Sequence, residues 1–249
     1  MSKLEIIKSE WQKAMQEMSA SPGFRKLLNG EMTIEHYQAI LRQIFHQVRE
    51  HPQALALMTV NLRGRQRQMV KGLLRHSLSE VGHDQLALND LKAMGVDTFR
   101  IPFERPLPST SAILGFMYYL LEHQNPLSFL GYLFHLEFMP TSAGELYAQA
   151  LARAGVKPNQ MTFLNDHAEV DVHHNKLMAQ YVDELVLTED DLESVIYAAK
   201  ATAQLYGRMI TEAMESVDQA TSYGLSRAEL VGHPVSHPVT QPVAAVGTA

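Results

Sequence analysis

Residues 163–177 read FLNDHAEVDVHHNKL and place five side chains that can bind a metal ion within eight consecutive positions. On an α-helix each residue advances by about 100°, so His167, Asp171 and His174 fall within roughly 60° of one another. His173 points well away from them. The stretch therefore predicts a helix with one metal-binding face.

A second stretch, LLRHSLSEVGHDQL at residues 73–86, repeats this spacing with His76, Glu80 and His83. Each of the two helices thus offers a carboxylate followed three positions later by a histidine. A carboxylate and a neutral imidazole one turn apart can hold the same iron or manganese ion. One such pair would be weak support for a metal site, because these residue types are common on solvated helix faces.

Two further carboxylates lie at matching positions in the sequence. A hairpin that turns near residues 63–64 brings Glu50 to nearly the same depth as Glu80. A second hairpin brings Glu137 to a depth comparable with that of Asp171. Di-iron carboxylate sites in helix bundles have the same arrangement. Two helices supply one Glu each, and two others supply a carboxylate-x-x-His pair each.

Nearly every segment shows helical spacing and alternating strand patterns are missing, which predicts an all-α fold. The predicted helices span residues 3–18, 23–29, 33–62, 65–94, 109–123, 126–154, 159–186 and 188–217. Glycines at 30, 95 and 155 are expected helix stops, and Thr188 with Asp191 forms an expected capping box. The loop at residues 96–108 is either a lid or a strap.

The chain divides into a helical domain at residues 1–219 and a tail at residues 220–249. The tail repeats Pro-Val and lacks a helical apolar face, so we expect it to be flexible. Within the domain, Pro52 follows Glu50 and Pro140 follows Glu137. A proline inside a helix removes a hydrogen bond and kinks it, so these prolines indicate either a movable metal-ligand shell or two ordinary kinks.

The composition narrows the function classes. The 249 residues are 46% apolar and carry a formal net charge of −6. Phosphate binding needs clustered lysines and arginines, so a net negative charge without a basic stripe predicts no nucleic-acid partner. The absence of cysteine excludes disulfides, thiolate metal sites and a cysteine nucleophile. The amino-terminal residues lack the apolar core of a signal peptide, and the longest apolar run, at residues 112–121, is too short to span a bilayer. We expect a cytoplasmic protein without a membrane partner.

The motifs HSLSEVGHDQLALNDLKAMG, at residues 76–95, and HAEVDVHH, at residues 167–174, resemble the heme-oxygenase-like di-iron oxidases. These are iron-containing redox enzymes related to the TenA and PqqC superfamily, and the resemblance covers roughly residues 33–217. It implies a heme-oxygenase-like bundle of about seven to eight helices. It also implies metal ligands at Glu50, Glu80, His83, Glu137, His167, Asp171 and His174.

The same resemblance implies the cofactor and the reaction. The cofactor would be a pair of iron ions, or one manganese with one iron, with O2 as co-substrate and no heme. The substrate would be a small carboxylic acid, either a fatty acid or an amino acid, and the reaction C–C cleavage, desaturation or hydroxylation. The Glu-x-x-His spacing matches the alkene-forming branch of the family better than branches whose Glu lies seven residues before the His.

Where those branches have their Glu, this chain has His76, which is either an outer-shell hydrogen-bond donor or a surface residue. Four apolar residues near the motifs either line a substrate pocket or belong to the core: Phe45, Phe134, Phe138 and Met139. Three arginines either bind a substrate carboxylate or face solvent: Arg42, Arg49 and Arg75.

Several alternatives stay open at this stage. Heme oxygenases of this fold use one axial histidine, thiaminase-type relatives use a cysteine that this chain lacks, and quinone-cofactor synthases work without metal. A ferritin-like bundle has the same set of Glu and Glu-x-x-His ligands. His167, as a seventh ligand, and the number of helices favour the heme-oxygenase-like fold instead. A non-catalytic metal-binding or partner-binding helical protein is the alternative function, and a homodimer is compatible with the sequence.

Overall fold

The computed structural model describes residues 1–222, including all side chains except those of residues 168–173 and 221–222. Within this range the chain is helical and contains no β-strand, which confirms the predicted all-α fold. The helices are α1 (Lys3–Ser19), α2 (Pro22–Leu28), α3 (Ile34–Val48), α4 (His51–Thr59), α5 (Val70–Ser79), α6 (His83–Ala93), α7 (Pro108–His123), α8 (Phe129–Arg153), α9 (Thr162–Leu185) and α10 (Glu189–Ser222). A 3₁₀ helix, Gly64–Met69, leads into α5.

The described residues form ten α-helices where the sequence predicted eight, because two long predicted helices are each broken in two. The first break separates α3 from α4 at Arg49 and Glu50. Pro52 is the second residue of α4, where its missing N–H costs no helical hydrogen bond. Pro52 therefore marks a helix start, whereas Pro140 lies inside α8 as predicted.

The second break separates α5 from α6 over Glu80, Val81 and Gly82. Gly82 has a φ of 99°, in the left-handed region that only glycine enters at low cost. Helix α5 ends at Ser79 and α6 begins at His83, so the metal-ligand candidates Glu80 and His83 lie on either side of Gly82.

Both predicted hairpins are present. Helix α3 packs against α6, and α4 packs against α5, while α8 packs against α9 along its length. Asp90 of α6 fixes the start of α9, because its carboxylate accepts hydrogen bonds from the backbone N–H groups of Thr162 and Phe163 at 2.9 Å each. These N–H groups have no partner within their own helix, so the buried carboxylate satisfies them and interacts favourably with the helix dipole.

Helix α10 lies at the centre and packs against α1, α2, α3, α7 and α8. Its start is capped as predicted, since the Asp191 carboxylate accepts from the backbone N–H of Thr188 at 2.9 Å and the Thr188 hydroxyl accepts from the N–H of Asp191 at 3.1 Å. The helix continues to Ser222, and Ala220 is buried. The remainder of the predicted tail, residues 223–249, lies outside the described residues.

The loop between α6 and α7 is fastened to α3 by polar contacts. Arg42 pairs with Glu104, the Arg49 guanidinium donates to the carbonyl of Pro102 at 3.2 Å, and the N–H of Leu107 donates to the amide oxygen of a glutamine in α3 at 2.9 Å. These contacts favour the interpretation of this loop as a strap.

In the part of the chain that the structure describes, no helix combines the length and apolarity needed to cross a bilayer.

The core is built from buried faces of all the long helices and includes Trp11, whose indole N–H donates to the Nδ1 atom of His135 at 3.1 Å. Burying the indole with its N–H satisfied avoids the free-energy cost of an unpaired donor.

Helices α8 and α10 approach closely at Gly131. A Cβ atom at this position would overlap the carbonyl oxygen of Val195 and would lie 2.7 Å from the backbone nitrogen of Ala199. Both contacts are with backbone, so neither can be relieved by a side-chain rotation. Only glycine fits here.

We predict that Gly131→Ala lowers the free energy of unfolding by about 1–3 kcal/mol or more, because overpacking forces the two helices apart. Gly115→Ala is the matched control, since Gly115 also lies in a helix but has no atom within 4 Å of the added Cβ. The control should be neutral or raise stability by up to about 1 kcal/mol through helix propensity. Denaturant unfolding measures both, and equal effects would contradict the close approach.

Candidate metal centre

Four buried residues from three helices converge on one point: His76, Glu80, Glu137 and His174. Each offers one ligand atom, and these atoms all lie within 4.8 Å of one another. The Nδ1 atom of His174 donates to Glu137 Oε2 at 3.0 Å and lies 3.5 Å from Glu80 Oε1. The Nε2 atom of His76 lies 3.2 Å from Glu137 Oε1 and 3.7 Å from Glu80 Oε1. We call this set the inner group.

A second set, which we call the outer group, contains Glu80, His83 and His167. The Nδ1 atom of His83 lies 3.2 Å from Glu80 Oε2, and the rings of His83 and His167 are 4.9 Å apart. His167 Nδ1 donates to the carbonyl of Phe163 at 2.7 Å, which leaves its Nε2 atom free to act as a ligand. Glu80 belongs to both groups and presents one carboxylate oxygen to each.

The broken helix explains how Glu80 reaches both groups. His76 lies on the buried side of α5, Glu80 follows the last residue of this helix, and His83 is the first residue of α6. The turn at Gly82 redirects the chain. His83 therefore faces His167 in α9, and His76 faces His174, which lies about two turns further along the same helix. The hydrogen bonds accepted by Asp90 hold the start of α9, which carries His167, against α6, which begins at His83.

The carboxylates of this centre remain ionised despite their burial. Burial raises the pKa of Glu137, but the contacts with His174 and His76 lower it by more, so the net pKa lies below the ordinary value. Burial and repulsion from Glu137 raise the pKa of Glu80, but the contact with His83 and the charge of His51 together lower it by more. Two carboxylates with depressed pKa values suit the binding of a cation.

The histidines of the outer group have pKa values shifted in opposite directions. The contact with Glu80 raises the pKa of His83, despite partial burial. Burial lowers the pKa of His167, and the nearby His83 lowers it further. The lowered pKa favours the neutral form of His167, which is the form that binds a metal ion, whereas the raised pKa of His83 favours its protonated form.

Unsatisfied polar atoms show that the centre fits metal ions. Both ring nitrogens of His76, Nδ1 of His83 and Oε1 of Glu80 make no hydrogen bond to any described residue. Buried polar atoms without partners are rare and costly. Ligand atoms bound to one ion at about 2.0–2.2 Å lie about 3 Å apart, close to the 3.0–3.7 Å separations seen here. Imidazole and carboxylate donors suit iron or manganese.

The structure brings together five of the seven sequence-predicted ligands: Glu80, His83, Glu137, His167 and His174. Asp171 lies on α9 one turn before His174, and its side chain is outside the described residues.

Glu50 lies in the break between α3 and α4 and belongs to neither group. Its carboxylate accepts a hydrogen bond from the hydroxyl of Tyr118 at 3.0 Å and lies 3.2 Å from the guanidinium of Arg49. Burial and this hydrogen bond raise the pKa of Tyr118 to about 12. A metal-binding role for Glu50 stays a prediction.

His76 is the residue whose role the sequence left open. Its relative exposure of 1% excludes the surface alternative. The ring lies between Glu80 and Glu137 at distances that a ligand would have, and it also stacks against Tyr181 with ring centres 6.0 Å apart. The signal in the sequence was its i, i+4, i+7 spacing with Glu80 and His83, which equals that of the predicted ligands in α9.

An apolar pocket adjoins the outer group through His167. Helices α2, α3, α8, α9 and α10 supply its walls, and His167 is the one acidic or basic residue among the lining side chains. Apolar walls with a few polar groups are typical of small-molecule sites. The hydroxyl of Tyr37, which lines the pocket, is buried and makes no hydrogen bond to a described residue.

Of the apolar residues that the sequence singled out, Met139 lines this pocket. The other three belong to the buried core without lining it: Phe45, Phe134 and Phe138. The arginines do not line the pocket either. Arg42 and Arg49 bind the strap, and Arg75 is exposed on α5.

Solved structures of related fold support this architecture. A domain of unknown function with a heme oxygenase-like fold from Shewanella denitrificans has a TM-score of 0.82 and 21% identity, and the match covers 91% of this chain and 97% of that one. A TenA homologue from Pseudomonas syringae has a TM-score of 0.72 and 12% identity over 86% and 93% of the two chains. Heme oxygenase-1 from Synechocystis, in complex with heme, has a TM-score of 0.69 and 10% identity over 90% and 97%.

These similarities confirm the predicted heme-oxygenase-like fold, and no curated protein matches the sequence. The sequence profile of a family described as iron-containing redox enzymes matches residues 38–207, which include every described residue of both ligand groups. Since this match spans well over half of the chain, the protein belongs to the family of iron-containing redox enzymes.

Proposed function

We propose that the protein is a non-heme di-iron oxidase or oxygenase that uses O2 to oxidise a small carboxylic acid. The observation that carries this proposal is the position of Glu80, whose two oxygens face two different sets of histidines. A carboxylate shared in this way is what a pair of neighbouring metal ions requires. The family membership supports iron as the metal and redox chemistry as the activity.

The proposed ligands follow the two groups. His76, Glu137 and His174 would hold one ion and His83 and His167 the other. Glu80 would contact both. Asp171 and Glu50 are proposed as additional ligands on the family resemblance alone. When bound, the iron would supply the reduction of O2. A pair of manganese and iron would satisfy the same donors.

The chain contributes a site that excludes water and can orient a substrate. The inner group is buried, and the pocket reaches the outer group through His167. An acid bound with its carboxyl end near His167 would extend its tail along apolar walls. The free hydroxyl of Tyr37 is available to donate to a substrate oxygen. Such fixed orientation would select which C–H or C–C bond reacts, and hence whether cleavage, desaturation or hydroxylation follows.

The lining of the pocket favours a fatty acid over an amino acid. The ammonium group of an amino acid would need a carboxylate or several acceptors, and no acidic side chain lines the pocket. A hydrocarbon tail needs only apolar contacts, which the pocket supplies from several helices. Medium-chain fatty acids are therefore the first substrates to test, followed by amino acids.

We predict that the metal-free protein binds up to two Fe(II) ions under anaerobic conditions, with no heme absorbance after iron loading. Glu80→Ala should weaken both binding events by at least about 100-fold, because loss even of outer-shell partners typically costs 10- to 100-fold. His167→Ala should weaken only one event. Calorimetric titration with Fe(II) measures the affinities, and the shift in melting temperature on loading gives a second readout.

Glu145→Ala is the matched control for this titration. Glu145 lies on the same helix as Glu137 but is exposed, and among the described residues its carboxylate accepts one hydrogen bond, from Gln149. The control should bind iron as the unmodified protein does. Trace binding by the unmodified protein, or equal binding by Glu80→Ala, would refute the metal centre.

We also predict that iron-loaded protein consumes O2 faster when a medium-chain fatty acid is present. Leu164→Trp should shift the preference towards shorter acids by narrowing the pocket, while leaving iron binding intact. Leu146→Trp is the control, because Leu146 is 47% exposed and lies outside the pocket. An oxygen electrode and product analysis by mass spectrometry measure the outcome.

If iron binds as expected but no carboxylic acid or amino acid accelerates O2 uptake, the oxidase proposal fails. The non-catalytic metal-binding alternative would then account for the geometry of the centre. A strong heme absorbance after loading with heme, with loss of Fe(II) binding, would instead favour a heme-dependent function.

A further inference from the structure

A basic segment lies between Glu50 and Glu80. It contains no acidic residue and carries five basic ones, Arg63, Arg65, Arg67, Lys71 and Arg75, in a chain whose net charge is −6. All five are exposed, and none forms an ion pair with a described acidic side chain. The local excess of positive charge is therefore open to a partner. The negative net charge of the whole chain does not reveal this basic segment, which the sequence analysis therefore missed.

The same segment exposes apolar side chains. Leu74 is 44% exposed, Leu78 is 72% exposed and Val81 is 63% exposed, which makes this stretch the densest run of exposed large apolar residues in the described chain. Single exposed leucines are ordinary. Several exposed apolar side chains close together and rimmed by charged residues are typical of an interaction site.

The two kinds of side chain form parallel rows. Val70, Leu74 and Leu78 recur every four residues, and Arg67, Lys71 and Arg75 do so beside them. Together these six line a shallow surface groove. On an α-helix, positions four apart lie on one ridge, so α5 offers an apolar row of Val70, Leu74 and Leu78 next to Lys71 and Arg75. Arg67, in the preceding 3₁₀ helix, extends the basic row. We call it the α5 groove.

We propose that the α5 groove binds an acidic amphipathic helix of a partner protein. Such a helix would place its apolar row against Leu74 and Leu78 and its carboxylates beside Arg67 and Lys71. The two rows match ridge-into-groove packing of one helix against another, and the charges are complementary.

Other occupants fit these observations less well. Nucleic acid would use the basic row but leave the leucines against phosphate. A second copy docked symmetrically would oppose two basic rows. Residues 223–249 of this chain contain one arginine and one glutamate, so they lack the acidic charge the groove calls for.

The groove lies on the helix that supplies the metal centre. His76 lies on the buried side of α5, and Glu80 directly follows its last residue. A partner bound at Leu78 would sit about one helix diameter, roughly 10 Å, from these ligands. The docking proposal does not depend on the proposed oxidase activity, since it is carried by charge and exposed apolar surface alone.

The test uses a synthetic helical peptide with leucines at i, i+4 and i+8 beside a row of glutamates. A scrambled peptide of the same composition disperses both rows. We expect the ordered peptide to bind at least about tenfold more tightly than the scrambled one, with affinity falling as salt rises. Fluorescence anisotropy measures binding to the full chain.

Two paired variants separate the contributions of the rows. Arg67→Glu with Lys71→Glu should weaken peptide binding by about tenfold or more, and Leu74→Ser with Leu78→Ser should do likewise. Arg105→Glu with Arg208→Glu, two exposed arginines elsewhere, is the charge-matched control and should bind normally. Fe(II) affinity should be unchanged in all three, which distinguishes failure of this proposal from failure of the metal centre.

Several outcomes would overturn the proposal. One is equal binding of the ordered and scrambled peptides, and another is full binding by the Arg67→Glu, Lys71→Glu variant. Tighter binding to duplex DNA or to anionic phosphatidylserine vesicles than to the peptide would assign the groove to a different partner. Sedimentation showing a dimer of the unmodified chain that the same substitutions abolish would assign it to a second copy.

Discussion

The ionised carboxylates of Glu80 and Glu137 are the constraint on which the centre of this protein depends. Bringing two like charges into a buried site costs several kcal/mol for each charge unless nearby groups compensate. Here the compensation comes from three histidines within 3.7 Å, one of which, His83, has a raised pKa because of Glu80. A divalent cation would replace the protons and satisfy the ring nitrogens of His76, which make no hydrogen bond in the described chain.

The surrounding helices are arranged so that these groups can meet. The break between α5 and α6 turns Glu80 towards two sets of histidines at once, and the buried Asp90 holds the start of α9 against α6. The close approach at Gly131 fixes α8, which carries Glu137, against the central helix α10. Packing, helix capping and ligand position are therefore parts of one structural arrangement, with the apolar pocket beside its outer edge.

Much of this arrangement could be predicted from the sequence, because helical periodicity and ligand spacing are local properties. The all-α fold and the shared face of His167 and His174 follow from them. The two helix breaks could not be predicted from the sequence. Pro52 and Gly82 lie at them, but a proline or glycine alone does not decide between a kink and a break. Depth along a hairpin predicted that Glu50 faces Glu80, but it could not show that the Glu50 carboxylate contacts Tyr118 and Arg49.

The central claim is that two metal ions share Glu80. Diffraction data collected on iron-soaked crystals at the iron absorption edge would test it most directly, because anomalous scattering locates iron without assuming ligands. We expect two anomalous peaks per chain, one beside His76 and His174 and one beside His83 and His167, with Glu80 between them. A single peak, or iron bound in a heme away from Glu80, would contradict it.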